Sequence, residues 1–188
     1  MKITIPKLIK FFYRKRELFI SKILRIFYNI SPFISIGKGT LINRGITLNV
    51  TYPGRIKIGR NCELRKGCQL WTYGGDISIG DHSSVNAYTM IYGQGSVKIG
   101  NYVRIATQCV IIPSNHIFSD RNIPITYQGL ENKGIVIEDD VWIGAGVRIL
   151  DGVTIAQGCV IGAGSVVTKS TEKFGVYVGI PARLIKKR

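Results

Sequence analysis

An apolar residue returns every six positions over most of this chain, and few folds are compatible with that spacing. The series runs Ile36, Ile42, Leu48; Ile58, Leu64, Leu70; Ile79, Val85, Ile91; Ile99, Ile105, Ile111; Ile137, Ile143, Ile149; Ile155, Ile161, Val167. Six residues are too few for a strand, a turn and a return, but they suit one short strand plus one corner. Three such sides close a triangle. Triangles stacked at strand spacing, ~4.8 Å, point every beat inward, so that each coil buries its core against the next. Eighteen beats in six groups of three predict a prism of six coils, ~29 Å tall. The tetrad I-x-I-G marks the coil starts at Ile34-Ser35-Ile36-Gly37, Ile56-Lys57-Ile58-Gly59, Ile77-Ser78-Ile79-Gly80 and Val97-Lys98-Ile99-Gly100, with variants at 135–138 and 153–156.

The fourth residue after each beat falls near a corner and is small at Thr40, Cys62, Cys68, Ser83, Thr89, Gly95, Cys109, Cys159 and Ser165. All four cysteines belong to this class. They form no CxxC pair, which argues against a zinc knuckle or a disulfide framework and for small buried packing. The breaks in the rhythm all fall at one corner. From the third beat of a coil to the first of the next, the step is 10 residues at Leu48–Ile58, 9 at Leu70–Ile79, 8 at Ile91–Ile99, 26 at Ile111–Ile137 and 6 at Ile149–Ile155. The small insertions are Gly-rich turns stacked along one edge. The long one predicts an arm over 115–134, and a long irregular insertion in a solenoid is a place to look for function.

The net charge of +15 is concentrated at the N-terminus, where eight Lys/Arg in residues 1–30 face only Glu17; Arg183, Lys186, Lys187 and Arg188 form a second cluster. Leu8, Phe12, Phe19, Ile23, Ile26, Phe27 and Ile30 recur mostly at steps of three and four, so residues 1–30 read as a basic amphipathic helix. Two readings stand: an interfacial helix on an anionic inner leaflet, or a helix packed on the domain or a neighbouring subunit. No apolar run approaches the ~18 residues of a membrane span, and no signal-peptide pattern is present. The expected location is the cytoplasm, with peripheral contact on the inner face of the cell membrane through residues 1–30. The expected division is 1–30 helical, 31–172 repeat prism, and 173–188 a basic tail or cap.

Specific motifs sharpen the reading. Asp139-Asp140-Val141-Trp142-Ile143-Gly144, Gly152-Val153-Thr154-Ile155, the run from Val160 to Lys169, and Gly179-Ile180-Pro181-Ala182-Arg183 resemble the hexapeptide-repeat acyltransferases, in particular the galactoside, maltose and antibiotic O-acetyltransferases. The arm, with Asn115-His116-Ile117-Phe118-Ser119-Asp120, Pro124-Ile125 and Gln128-Gly129, is similar to that of capsule, O-antigen and exopolysaccharide O-acetyltransferases. The resemblance covers about residues 34–186. It implies an all-β solenoid, a left-handed parallel β-helix, assembled as a homotrimer. It implies acetyl-CoA as donor, no metal, and a sugar or glycan acceptor rather than nucleic acid.

The resemblance also implies roles. Acetyl transfer to a hydroxyl needs a base, and histidine titrates near the working pH. His116, at the mouth of the arm, matches the family's catalytic histidine and is expected to stay on the prism while residues 117–134 wall the acceptor. His82 reads as a polar surface corner. Asn86, thirty residues before His116, is placed to hold the acceptor or the developing oxyanion, or to serve as a structural corner residue. Asp120 could orient His116 or cap its own loop. Asp120, Trp142 and Gln128 are expected at the substrate. Ala145 and Ala163 would line the pantetheine path, and Thr168, Lys169, Arg183 and Lys186 would meet the nucleotide phosphates. The rival readings are a small soluble acceptor (an antibiotic, a free sugar or serine), a carbonic anhydrase-like metalloenzyme on the same scaffold, and a non-catalytic scaffold.

Overall fold

The computed structural model describes residues 5–188; of residues 5–10 and Tyr13 only the backbone is described. The start of the expected helical segment, residues 1–4, and the Leu8 side chain therefore lie outside the described residues. Three parallel sheets form the faces of a left-handed β-helix. Face 1 begins with Ile34–Ile36 and Ile56–Ile58, face 2 with Leu41–Ile42 and Glu63–Leu64, and face 3 with Thr47–Asn49 and Gln69–Trp71. Each face runs through six coils. Beats stack in register, Ile36 on Ile58 on Ile79 along face 1. Seventeen of the eighteen beats are buried. Leu48, in the first coil of face 3, is only partly buried.

The recurring glycine of the tetrad follows from coil spacing. A Cβ on Gly37 would lie 2.6 Å from the Gly59 carbonyl carbon, and one on Gly80 would lie 2.6 Å from that of Gly100. No side chain fits between backbones that close. The small corner residues do more than fill space. Thr40 Oγ1 donates to Gly59 O (2.7 Å) and accepts from Cys62 N (3.1 Å); Ser83 Oγ donates to Gly100 O (2.9 Å) and accepts from Val103 N (3.0 Å). The thiols of Cys62 and Cys109 donate in the same manner to Gly80 O and Gly144 O. All four cysteines are buried and unpaired.

The first coil has an open strand edge, which helix α1 (Ile5–Tyr28) covers. Its inner stripe is Glu17, Ser21, Leu24 and Tyr28, four residues at steps of four, three and four. Ser21 Oγ accepts from Ile42 N at 2.7 Å. Just past the helix, Asn29 accepts from Ile36 N (2.7 Å) and donates to Ile36 O (3.1 Å), as a neighbouring strand would. The C-terminus closes the other end: Gly175–Gly179 adds to face 2 in parallel and Ala182–Lys187 folds back on it. Among the described residues, no helix is long and apolar enough to cross a membrane.

The arm leaves the edge between faces 3 and 1. Asn115–His116 pairs antiparallel with Leu130–Glu131, and α2 (Ile125–Gln128) lies between the two strands.

Candidate active site

His116 is part of the arm rather than of the prism, contrary to the expectation from its place in the hexad. Its backbone pairs with Leu130, and the ring is exposed at a recess that includes Ile117, Phe118, Ser119 and Glu131. The sixfold rhythm has already ended at Ile111, and the chain needs two facing strands to leave and re-enter the prism. Among the described residues, no side chain or backbone group hydrogen-bonds the His116 imidazole, so both ring nitrogens are available to a ligand.

The arm is tied down by a residue that motif reading missed. The Asp151 carboxylate, on the next coil, accepts from Lys133 N and Gly134 N (both 2.9 Å) and from Asn115 Nδ2 (3.4 Å). These bonds pin both strands at the arm's root, one residue from His116. Asp151 sits in a corner among polar corners, and nothing local in its sequence distinguishes it.

Two of the residues expected at the substrate also brace the arm. Asp120 Oδ1 accepts from Asn122 N at 2.8 Å, closing its own turn, and no hydrogen bond joins it to His116. The Gln128 amide accepts from Asp120 N (3.1 Å) and donates to Asp120 O (2.8 Å) and Ile123 O (2.7 Å). Both Nε2 hydrogens and one Oε1 lone pair brace the arm, which leaves one Oε1 lone pair for a ligand.

The remaining residues lie elsewhere on the prism. Asn86 is at the edge between faces 2 and 3, where its Nδ2 donates to Ile105 O (2.8 Å) and its Oδ1 is left over. Ala145 and Ala163 occupy the same edge two and three coils further on. There the wall is bare backbone: a Cβ on Gly144 would lie 2.6 Å from Ala163 N. Trp142 is exposed on face 2, paired with Arg104 on one side and Val160 on the other. Thr168 and Lys169 follow the last strand of face 3, whereas Arg183 and Lys186 lie on the terminal hairpin beside face 2, so the four do not form a single cluster along the chain. One chain by itself therefore sets His116 and Asn86 on different edges.

His82 has a structural explanation. It holds a left-handed corner (φ 59) that Gly39 and Asn61 hold in earlier coils, and it stacks on Tyr102, the equivalent residue of the next coil, at 5.1 Å and 4°. Burial pushes the Cys68 thiol up to about 12 and raises those of Cys62 and Cys109, which disfavours the thiolate at these three. Among the described residues, no group of three or more His, Cys, Asp or Glu side chains converges as a metal site.

Residues 134–169 match the family model described as bacterial transferase hexapeptide (six repeats). WbbJ of Escherichia coli K12, which carries the name of a lipopolysaccharide biosynthesis O-acetyl transferase, is 34% identical over 177 residues, 85% of this chain and 90% of its own. The chain belongs to the hexapeptide-repeat transferase family. It is an acyltransferase on a left-handed β-helix. A dTDP-4-amino-4,6-dideoxy-D-glucose acyltransferase of Escherichia coli is 34% identical over 138 residues, covering 71% of this chain and 72% of its own. Among solved structures, a variant of the N-acyltransferase AntD from Bacillus cereus, in complex with dTDP-4-amino-4,6-dideoxyglucose and coenzyme A, superimposes with a TM-score of 0.72 at 31% identity, covering 82% of this chain and 83% of that one.

Proposed function

We propose that this acyltransferase moves an acetyl group from acetyl-CoA to a sugar hydroxyl of a surface polysaccharide or its precursor. The observation that carries the reading is the His116 imidazole, exposed at the root of a pinned arm with no hydrogen-bond partner among the described residues. His116 takes the proton of the attacking hydroxyl as its oxygen bonds to the thioester carbonyl. The carbon–sulfur bond then breaks, and the imidazolium returns the proton to the departing thiolate. Such a base contributes ~10²–10⁴-fold. The free Oδ1 of Asn86 accepts from the acceptor, while one of its two amide N–H groups stays committed to Ile105 O.

The edge bearing Ala145 and Ala163 suits coenzyme A. Small residues leave corner backbone open to a pantetheine arm, and the cations Lys169, Arg183 and Lys186 are exposed near that end of the prism. Because His116 and Asn86 lie on different edges, the complete site forms between neighbouring chains of a homotrimer. The α1 helix holds the enzyme on an anionic inner leaflet. Relatives named for lipopolysaccharide and for dTDP-sugars support a sugar acceptor over an antibiotic or serine.

The test is acetyl transfer from labelled acetyl-CoA across nucleotide sugars, oligosaccharides and lipid-linked glycans, with wild type and His116→Ala. The variant is expected to lose turnover by ~10²-fold or more while coenzyme A affinity and melting temperature hold. Parallel loss of coenzyme A binding would remove His116 from the role of base. Transfer to amino sugars alone would reassign the acceptor atom from oxygen to nitrogen.

A further inference from the structure

Where α1 crosses the edge between faces 2 and 3, a crevice opens between the helix and the first two coils. Its walls carry five cations: Arg14 and Arg16 from the helix, Arg44 from the first coil, and Arg65 and Lys66 from the second. Two carboxylates stand among them. Glu17 pairs with Arg16 at 3.3 Å and Glu63 pairs with Arg65 at 2.5 Å. Among the described residues, Arg14, Arg44 and Lys66 have no carboxylate partner. Five cations against two carboxylates leave the lining three charges positive, a field that attracts an anion. Leu18 and Leu41 line the same space and give it an apolar side.

The crevice does not end at the helix. Asn43, Arg65 and Lys66 also line a shallow groove with Asn86, Ala87, Ala106 and Thr107 on the same edge. Tyr88 N donates to Lys66 O, so the corner of Lys66 lies one coil step, ~4.8 Å, below that of Asn86. A basic pocket thus opens directly into the groove that holds the proposed acceptor contact.

We infer that this crevice binds the diphosphate of a diphosphate-linked sugar and so places the sugar against Asn86. The inference rests on the reading of the chain as a sugar acetyltransferase and narrows its acceptor class. Arginine guanidinium groups grip phosphate oxygens in pairs, and a diphosphate spans cations too far apart for one phosphate to bridge. The chemistry is shared by two sources, a nucleoside diphosphate sugar and a prenyl diphosphate-linked sugar. Leu18 lies on the flank of α1, between the stripe facing the prism and the apolar stripe facing outward, where a prenyl chain could pass into a membrane beneath the helix.

The test is calorimetric titration of the full-length protein at physiological ionic strength with orthophosphate, inorganic pyrophosphate, UDP-glucose, farnesyl diphosphate in neutral micelles, and coenzyme A. The double variant Arg44→Ala/Lys66→Ala removes two exposed crevice cations, and Lys57→Ala/Lys98→Ala removes two exposed cations of face 1 as the charge-matched control. Pyrophosphate is expected to bind more tightly than orthophosphate. The crevice variant should lose ~10-fold or more for the diphosphate probes, with the control and all coenzyme A affinities unchanged. Equal weakening in both variants would reduce the crevice to general charge. A fall in coenzyme A affinity alongside pyrophosphate would reassign it to the donor's own diphosphate. Both results overturn the inference. Tighter binding of UDP-glucose than of farnesyl diphosphate assigns the nucleotide source, and the reverse assigns the lipid source. The measurement reads binding without turnover, so failure of acetyl transfer leaves it interpretable, and loss of the crevice leaves the His116 test untouched.

Discussion

The two histidines have different fates because of backbone position alone. His82 fills a left-handed corner and stacks on Tyr102, which gives its ring a partner and a fixed plane. His116 sits where the repeat has ended and, among the described residues, has no such partner. Buried side chains follow the repeat more closely. The corner thiols of Cys62, Cys68, Cys109 and Cys159 are all within the core, out of reach of solvent. At neutral pH they are expected to resist a thiol reagent in the folded protein and to react, all four, once guanidinium unfolds it. Rapid labelling of the native chain would contradict the corner packing. Repeat position made the cysteines legible in the sequence. It could not do so for Asp120 or Gln128, whose partners lie eight residues apart within an irregular arm.

At the scale of elements, α1 turns a different side to the prism from the one its sequence advertised. Phe12, Phe19, Ile23, Ile26, Phe27 and Ile30 form the conspicuous apolar stripe, and all six are exposed, Phe19 at 65% and Ile30 at 76%. The packed stripe is the mixed one through Ser21 and Tyr28, chosen because the open strand edge needs hydrogen-bond partners more than it needs further apolar area. Ser21→Ala or Asn29→Ala strands a backbone N–H of Ile42 or Ile36. Each should cost ~1–3 kcal/mol in a denaturant titration. The outward stripe is flanked by Lys15 and Lys22, the pattern that the proposed lipid contact requires. Phe19→Ser/Phe27→Ser is expected to abolish sedimentation with anionic vesicles while leaving thermal stability near wild type. Retention on vesicles would instead assign the stripe to a neighbouring protein surface.

For the whole molecule, the decisive fact is that the arm and the Asn86–Ala145–Ala163 line occupy different edges of one prism. In the proposed homotrimer a second chain completes a site that uses both, and closed cyclic assembly repeats that junction at every interface. Subunit complementation measures this directly. Mixed assemblies of His116→Ala and Asn86→Ala chains, each nearly inactive alone, should recover roughly a quarter of wild-type turnover if each site draws one residue from each neighbour. No recovery would place the working site within a single chain.

The sequence by itself determined the solenoid, its six coils, the corner carrying the arm, and the family. A strict sixfold beat admits one way to bury its apolar residues, and that solution is local and repetitive. Only the tertiary structure decided that His116 rides on a hairpin pinned by Asp151, that Gln128 braces the arm, that α1 faces its apolar stripe outward, and that five cations from three segments share one crevice. Those outcomes rest on hydrogen bonds and charges that meet across long sequence separations at the irregular parts of the chain, where periodicity carries no information.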